Sequence, residues 1–367
     1  MTVEASKYLT KDRQKQRNLA DILRFIVEKN STTRREIQRE TGFSWGTVSE
    51  SVAELILRGY VFEQMPSEKN VGRTSTILRL CGDSIASVGI DINISGITAR
   101  VIGFDKSKIW KAAHPYTAKS QSELLSDAIC ICKEAFAFCK DKFKVISIGI
   151  AMQGTVDTES GISVRFPNIP EWQAIDIKKA FQNQFGVATT VEHDPKCLLF
   201  AKNSSDRLKD AMLLRIDNGI GLSVIQDGKI LNDFGKMELG HTVAVRGGAR
   251  CSCGKDGCLE AYSSIIGIER QCGKSYAEIL TLSDSEIYRE AAAHLGRAIY
   301  NLCMLFAPEK IILTGILSEN VKFTDTLKEE LSCLGFNSNM IEIDNNISAS
   351  MGAALISVMN LIKSSNI

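Results

Sequence analysis

Glu238-Leu239-Gly240-His241, Cys251-Ser252-Cys253-Gly254 and Gly257-Cys258-Leu259-Glu260 crowd one imidazole, three thiols and two carboxylates into a single short segment. His241, Cys251, Cys253 and Cys258 make the four ligands of a closed tetrahedral zinc shell, and a shell with no open position belongs to a structural ion. One Zn2+ per chain is expected. Gly254 and Gly257 permit the tight turns that a knuckle closing over an ion requires. Glu238 precedes His241 and Glu260 follows Cys258 closely, so fixing the ligands also orients two carboxylates suited to a polyhydroxylated molecule.

Outside the knuckle the chain repeats one plan. Residues 88–93 and 97–102 read as strands joined by a tight turn at Ser95-Gly96, 122–139 as a helix, and 145–151 and 187–191 as buried strands. From Ala211 the opening recurs: a strand over 211–216, a turn at Asp217-Asn218-Gly219 and a strand over 220–225. Helices over 285–306 and 351–362 flank an apolar strand at 310–315. This is an α/β pattern with two lobes.

The knuckle's Glu-x-Gly-His and Cys-x-Cys-Gly-x-x-Gly-Cys-x-Glu resemble the signature of the ROK family (repressors, open reading frames, kinases). The resemblance implies a two-lobed actin-like domain of the sugar kinase and heat-shock ATPase type, with lobe 1 over 83–194, lobe 2 over 195–367 and the C-terminal helix returning to lobe 1. It also implies sugar contacts for Glu238, His241 and Glu260. Glu192-His193-Asp194 matches the family's Glu-Asn-Asp, in which the aspartate is the sugar-hydroxyl base; His193 stands where the family has a sugar-contacting asparagine. Gln153-Gly154 and Phe166-Pro167-Asn168 resemble two further sugar-side turns, adding Gly154 and Asn168 to the candidates.

Phosphate loops need glycines so that main-chain amides can approach the phosphates. Where related kinases carry Asp-x-Gly-Gly-Thr, this chain has Asp91-Ile92-Asn93-Ile94-Ser95. A second glycine loop has become Asn218-Gly219-Ile220-Gly221-Leu222-Ser223, and a third Thr314-Gly315-Ile316. The expectation is a domain without ATP chemistry, its backbone approach blocked at Asn93 and Leu222, with Asp194 a vestigial base and no catalytic residue.

The first 82 residues are a separate unit. Residues 1–75 hold 13 Lys and Arg against 10 Asp and Glu, an excess too small to identify a nucleic-acid binder by charge alone. The pattern decides instead. Leu19, Ile22, Leu23, Ile26 and Val27 recur at helical spacing. Thr33 and Glu36 form a capping box for a second helix, Gly42 ends it, and Ser44 caps a third that carries Val48, Val52, Leu55 and Ile56. Two hairpin strands around 60–62 and 76–80 make this a winged helix-turn-helix. Trp45, Thr47, Ser49 and Glu50 on the exposed start of the third helix are the candidate major-groove readers. Val71-Gly72-Arg73-Thr74 resembles the Gly-Arg-Pro wing turn of ROK repressors, which assigns Arg73 to the minor groove.

Composition agrees with this plan: 44% hydrophobic and 24% charged residues over 367 positions suit a globular chain of two or three units. The polar start and the absence of any spanning apolar run point to a cytoplasmic protein with no membrane contact. Eleven cysteines, an odd number, read as reduced thiols, eight of them small core residues. The sequence thus points to a sugar-responsive transcriptional regulator with a degenerate kinase-like sensor, resembling the xylose and N-acetylglucosamine repressor branch of the family. Its expected partners are operator DNA, a sugar or sugar phosphate, and further copies of itself in a homodimer or tetramer. The alternative is an active ATP-dependent sugar kinase carrying a DNA-binding arm, for which Asp194 is the argument.

Overall fold

The computed structural model of the chain describes residues 3–65, 76–167, 169, 171–231, 237–281 and 286–364, with main chain alone for 3–11. The chain forms two compact units, Met1–Glu192 with Ser350–Ile367, and His193–Ala349.

In the first unit, helix α1 (Val3–Lys29) carries Leu19, Ile22, Leu23 and Ile26 in the core. A short strand β1 (Ser31–Thr33) then intervenes before α2 (Arg34–Thr41), where the spacing predicts helix following helix directly. It pairs antiparallel with β3 (Ile77–Leu80), which pairs in turn with β2 (Val61–Gln64). Thr33 and Glu36 form the reciprocal cap of α2. The hydrogen bond from Thr32, followed by those from Thr33, holds the Glu36 carboxyl below its ordinary range. Gly42 leaves the helix at φ 73°, and the Ser44 hydroxyl accepts from the Thr47 amide to start α3 (Trp45–Leu57). Leu19, Ile22, Leu23, Ile26, Ile37, Val48, Val52 and Leu55 form the core of this arm. The same cluster takes in Ile85, Phe104, Val358 and Ile362, so the arm shares its core with the domain that follows it.

That domain is built on a sheet in which β4 (Ile85–Asn93) lies between antiparallel β5 (Gly96–Gly103) and parallel β7 (Lys144–Met152). The edges are β6 (Lys108–His114) and the strand Ala188–His193. Helix α4 (Gln121–Cys139) packs its buried stripe of Leu124, Ala128, Ile131, Cys132 and Ala135 against one face. The C-terminal helix Ala349–Lys363 lies on the other, close enough that a side chain at Gly89 or Gly149 would strike its backbone at Ser350 or Ala353.

The second unit repeats the plan. Its sheet runs Lys229–Ile230, Ile220–Gln226, Ala211–Ile216, Lys310–Thr314, Ile341–Ile343, with the central pair antiparallel and the next pairings parallel. Ile220, Leu222 and Val224 point into a core closed by helices Arg289–Phe306 and Val321–Cys333. Gly221 faces the opposite way, where a Cβ would collide with Pro195 of the helix Asp194–Asp206. That contact seats the first turn of this helix on the sheet.

The far end of the same helix is tied to the edge strand by charge. Lys202 Nζ, with a side chain 11% exposed, lies 2.6 Å from Glu342, 2.7 Å from Asp344 and 3.0 Å from Asp206. Lys202 and then Lys310 hold the Glu342 carboxyl below its usual range. A depressed carboxylate contributes stability that is present above its unfolded pKa and lost as pH falls through the folded value. Lys202→Met should therefore cost about 2 kcal/mol at neutral pH, a buried-pair loss reduced for the partly exposed carboxylates. It should also flatten the acid limb of the stability curve. Chemical denaturation across pH 3–8 checks both, and an unchanged acid limb would show that the cluster is not coupled to folding.

Two cysteines depart from the core placement expected of them: Cys130 and Cys333 are exposed. Both sit on the outer face of amphipathic helices, where a small side chain is tolerated as readily as inside. No helix among the described residues is long and apolar enough to cross a membrane.

Candidate functional site

The knuckle folds by a chain of short main-chain bonds. Cys251 N–H donates to Lys255 O, Gly254 N–H to Cys251 O, Gly257 N–H to Ala249 O and Leu259 N–H to Thr242 O. Gly254 and Gly257 take φ of 89° and 80°, and a Cβ at Gly257 would strike Val245 O, so glycine is required there. The result gathers the ligand atoms of His241, Cys251, Cys253 and Cys258 within 4.8 Å of one another. His241 Nδ1 lies 3.7 Å from Cys251 Sγ, and Cys253 Sγ 3.6 Å from Cys258 Sγ. Burial, followed by the neighbouring Cys253 and Cys251 thiols, pushes the Cys258 thiol up to about 12. Three crowded thiols of this kind become thiolates only with a cation among them, so the donor set fits a metal ion.

The knuckle also reaches one of the flanking carboxylates. Glu260 Oε1 accepts from Ser252 Oγ at 3.0 Å and lies 3.8 Å from Cys251 Sγ. Its other oxygen is 2.8 Å from where a Cβ would stand at Gly219, and 3.3 Å from the same point at Gly240. Glu238 precedes the short 3-10 turn Leu239–His241, whose His241 amide donates to Glu238 O. Both carboxylates are partly buried.

His193 and Asp194, 8% and 3% exposed, open the helix Asp194–Asp206, with Pro195 in its first turn. Asp194 Oδ2 accepts from Arg215 Nη1 at 2.6 Å, and Oδ1 lies 3.6 Å from His193 Nε2. Arg215 Nε donates to Asp217 Oδ2, also at 2.6 Å. Motif and spacing pass over Arg215 and Asp217. The signal that could find them is a pair of charges closing the apolar run Met212-Leu213-Leu214, residues that a strand buried on both faces would not carry without partners.

This arrangement also changes the reason for the altered loops. The sequence assigns Leu222 to blocking backbone approach, but its side chain is 4% exposed inside the hydrophobic core and faces away from the loop. Strand alternation puts residues 220, 222 and 224 on the core side, so position 222 cannot obstruct the opposite face. Asn93, in the first unit, folds back on its own turn: Nδ2 donates to Asp91 and Oδ1 accepts from the Ser95 amide. Gly154 has φ 95°, and a Cβ there would collide with Arg165 O. Asn168 and Arg73 lie outside the described residues.

On the N-terminal arm, Trp45 is 50% exposed and Ser49 half-buried on the first turns of α3. Thr47 Oγ1 lies 2.9 Å from Ser44 Oγ, within the helix cap. Glu50 pairs with Lys15 of α1 at 2.9 Å. The pair raises the Lys15 ammonium above its ordinary value, chiefly through that hydrogen bond.

A winged helix-turn-helix joined to two repeated α/β sheets, with a knuckle of one histidine and three cysteines, defines the class: a DNA-binding arm on a sugar-kinase-like domain. Residues 87–354 match the ROK family and residues 16–61 match the family described as winged helix-turn-helix DNA-binding. The chain belongs to the ROK family. It is similar to the N-acetylglucosamine repressor of Escherichia coli O157:H7, 24% identical over 337 residues that span 84% of this chain and 82% of the relative. Among solved structures it resembles a ROK family transcriptional regulator described as a homolog of the E. coli MLC protein, with a TM-score of 0.77, 20% identity and coverage of 96% and 98% of the two chains. It also resembles the ROK hexokinase of Thermus thermophilus, with a TM-score of 0.65, 22% identity and coverage of 76% and 100%. At these identities the structural likeness establishes the fold, which repressors and kinases share.

Proposed function

We propose that the chain is a sugar-responsive, DNA-binding transcriptional regulator, a repressor of carbohydrate-use genes, in which a kinase-like domain senses a sugar without phosphorylating it. The observation that carries the reading is the winged helix-turn-helix arm, whose third helix is capped by Ser44 and leaves Trp45 exposed. In the kinase-like domain the Arg215 guanidinium holds one oxygen of Asp194 at 2.6 Å and leaves the other to accept a hydrogen bond from a sugar hydroxyl, which supports sugar binding. Similarity to a named repressor over most of both chains supports the DNA-binding half. In this reading Glu238, Glu260, His241, His193 and Asp194, with Gly154 and Asn168, contact the sugar. His241 and the three cysteines hold one structural zinc that keeps the Glu260 loop in place. The arm reads operator DNA through Trp45, Thr47, Ser49, Glu50 and Arg73. As one helix-turn-helix covers a single half-site, the working form is at least a cytoplasmic homodimer on a pseudo-palindromic operator, with half-sites spaced by about 10 base pairs or a multiple.

The test is a thermal-shift screen across hexoses, pentoses, N-acetyl sugars and their phosphates, followed by an operator titration with and without each hit. The expected result is at least one sugar that raises the unfolding temperature and changes operator affinity about tenfold, a coupling of roughly 1.4 kcal/mol. Sugar-dependent ADP release at roughly 1 to 100 per second would overturn the non-catalytic half.

A further inference from the structure

Arg215, Asp194 and Asp217 form a buried charge cluster whose side chains are 14%, 4% and 6% exposed. Each comes from a different place in the second unit: Arg215 from the strand Ala211–Ile216, Asp217 from the turn that ends it, and Asp194 from the first turn of a helix. The collision that a Cβ at Gly221 would make with Pro195 shows how closely that helix start sits on the hairpin, within reach of the arginine. The second oxygen of Asp217 accepts the main-chain N–H of Ile316 at 2.5 Å. Beside it, Gly315 takes φ 102°, and a Cβ there would lie 2.7 Å from Asp217 Oδ1. Only glycine leaves this seat open.

A main-chain amide on one side and a guanidinium on the other is the donor set that recognises a carboxylate or phosphate group of a bound molecule. Here both donors converge on a side chain of the chain itself. We propose that Arg215 and Asp217 are the specificity-determining pair of this site: the Asp217 carboxylate occupies an anion seat made by Ile316 N–H and Arg215, excluding an external anionic group such as a nucleotide phosphate. The same guanidinium positions Asp194 as a hydroxyl acceptor for an uncharged sugar. Two buried carboxylates face this guanidinium, and an incoming phosphate would meet their repulsion in a place where water screens it little. The assignment of Asp194 to a sugar rests on the function proposed above. The anion seat does not.

The experiment uses the full chain without sugar or DNA, so its failure leaves the regulator reading standing, and failure of the sugar screen leaves the seat standing. Asp217→Ala deprives Arg215 Nε and Ile316 N–H of their partner. Its unfolding temperature should fall by several degrees, and about 50 mM formate or inorganic phosphate should restore at least about half the loss, as a ligand bound only to the folded state does. Chloride at equal ionic strength should not. The wild type should show no such difference between anions, and Asp217→Ala combined with Arg215→Met should be rescued by neither. If Asp217→Ala does not fold, Asp217→Ser keeps a small polar group in the seat and should bind inorganic phosphate in equilibrium dialysis where the wild type does not. An Asp217 variant that folds and gains no anion response overturns the proposal, as does a rescue that persists without Arg215.

Discussion

Cys258→Ser is expected to reduce the bound metal from about one ion per chain to below about 0.2, and to weaken sugar binding with it. Cys258 is the innermost of the four candidate ligands, 0% exposed, and its backbone bridges Val243 across the knuckle. A serine hydroxyl does not ionise near neutral pH and binds zinc poorly, so the other three donors would be left around an incomplete shell. Structural zinc sites in small domains are worth roughly 10 to 16 kcal/mol. The knuckle is one loop on a larger core, so the loss should appear as local unfolding: proteolysis between residues 242 and 259, with the sheets intact by circular dichroism. Glu260 hangs on the knuckle through Ser252 Oγ, and its displacement should raise the sugar dissociation constant by tenfold or more, roughly 1.4 kcal/mol per decade. Metal analysis of the purified variant beside a sugar titration decides the matter. Stoichiometric zinc together with unchanged sugar affinity would remove Cys258 from the shell and the metal from the sugar site.

What was legible in the sequence was whatever depends on near neighbours. The caps at Thr33 and Ser44 rest on bonds that span three residues, and their residue types announce them. The knuckle rests on ligands and glycines confined to one short loop. The cluster of Arg215, Asp194 and Asp217 was not legible, because Asp194 is 21 positions from Arg215 in the chain and Asp217 meets an amide 99 positions away. No spacing rule reports such a meeting. At Leu222 the loss of a glycine shows in the sequence, but the face on which its replacement lies depends on strand register. Strand β6 has no clear sequence signal because it is a sheet edge with a shifted register, so that Lys108, Lys111 and Ala113 are exposed without strict alternation. Exposed lysines are common on edge strands, where they discourage pairing with another chain.

Trp45→Asp combined with Ser49→Asp is expected to lower operator affinity by at least about a hundredfold, roughly 2.7 kcal/mol, with folding stability changed by less than about 1 kcal/mol. Trp45 is exposed and Ser49 half-buried at the start of α3, and neither belongs to the hydrophobic cluster beneath it. An acidic residue in the first turn of a helix interacts favourably with the helix dipole, so Asp at position 45 should not unfold the arm. Against DNA the same charges face phosphates and acceptor-rich base edges, where they repel. Deleting the arm would be a poorer experiment. Val61, Leu78 and Leu80 share a core with Ile85, Phe104, Val358 and Ile362, and a chain starting at Ser84 would expose that apolar surface and confuse lost recognition with lost folding. Lys15→Ala provides an internal comparison, since it removes one cation beside Glu50 and should reduce the salt dependence by about one counterion while leaving sequence preference in place. Fluorescence anisotropy with fragments of the gene's own upstream region, at several salt concentrations, measures all three proteins. If the double variant bound those fragments as tightly as the wild type, the third helix would not be the reader, and the regulator reading would lose the surface on which it depends.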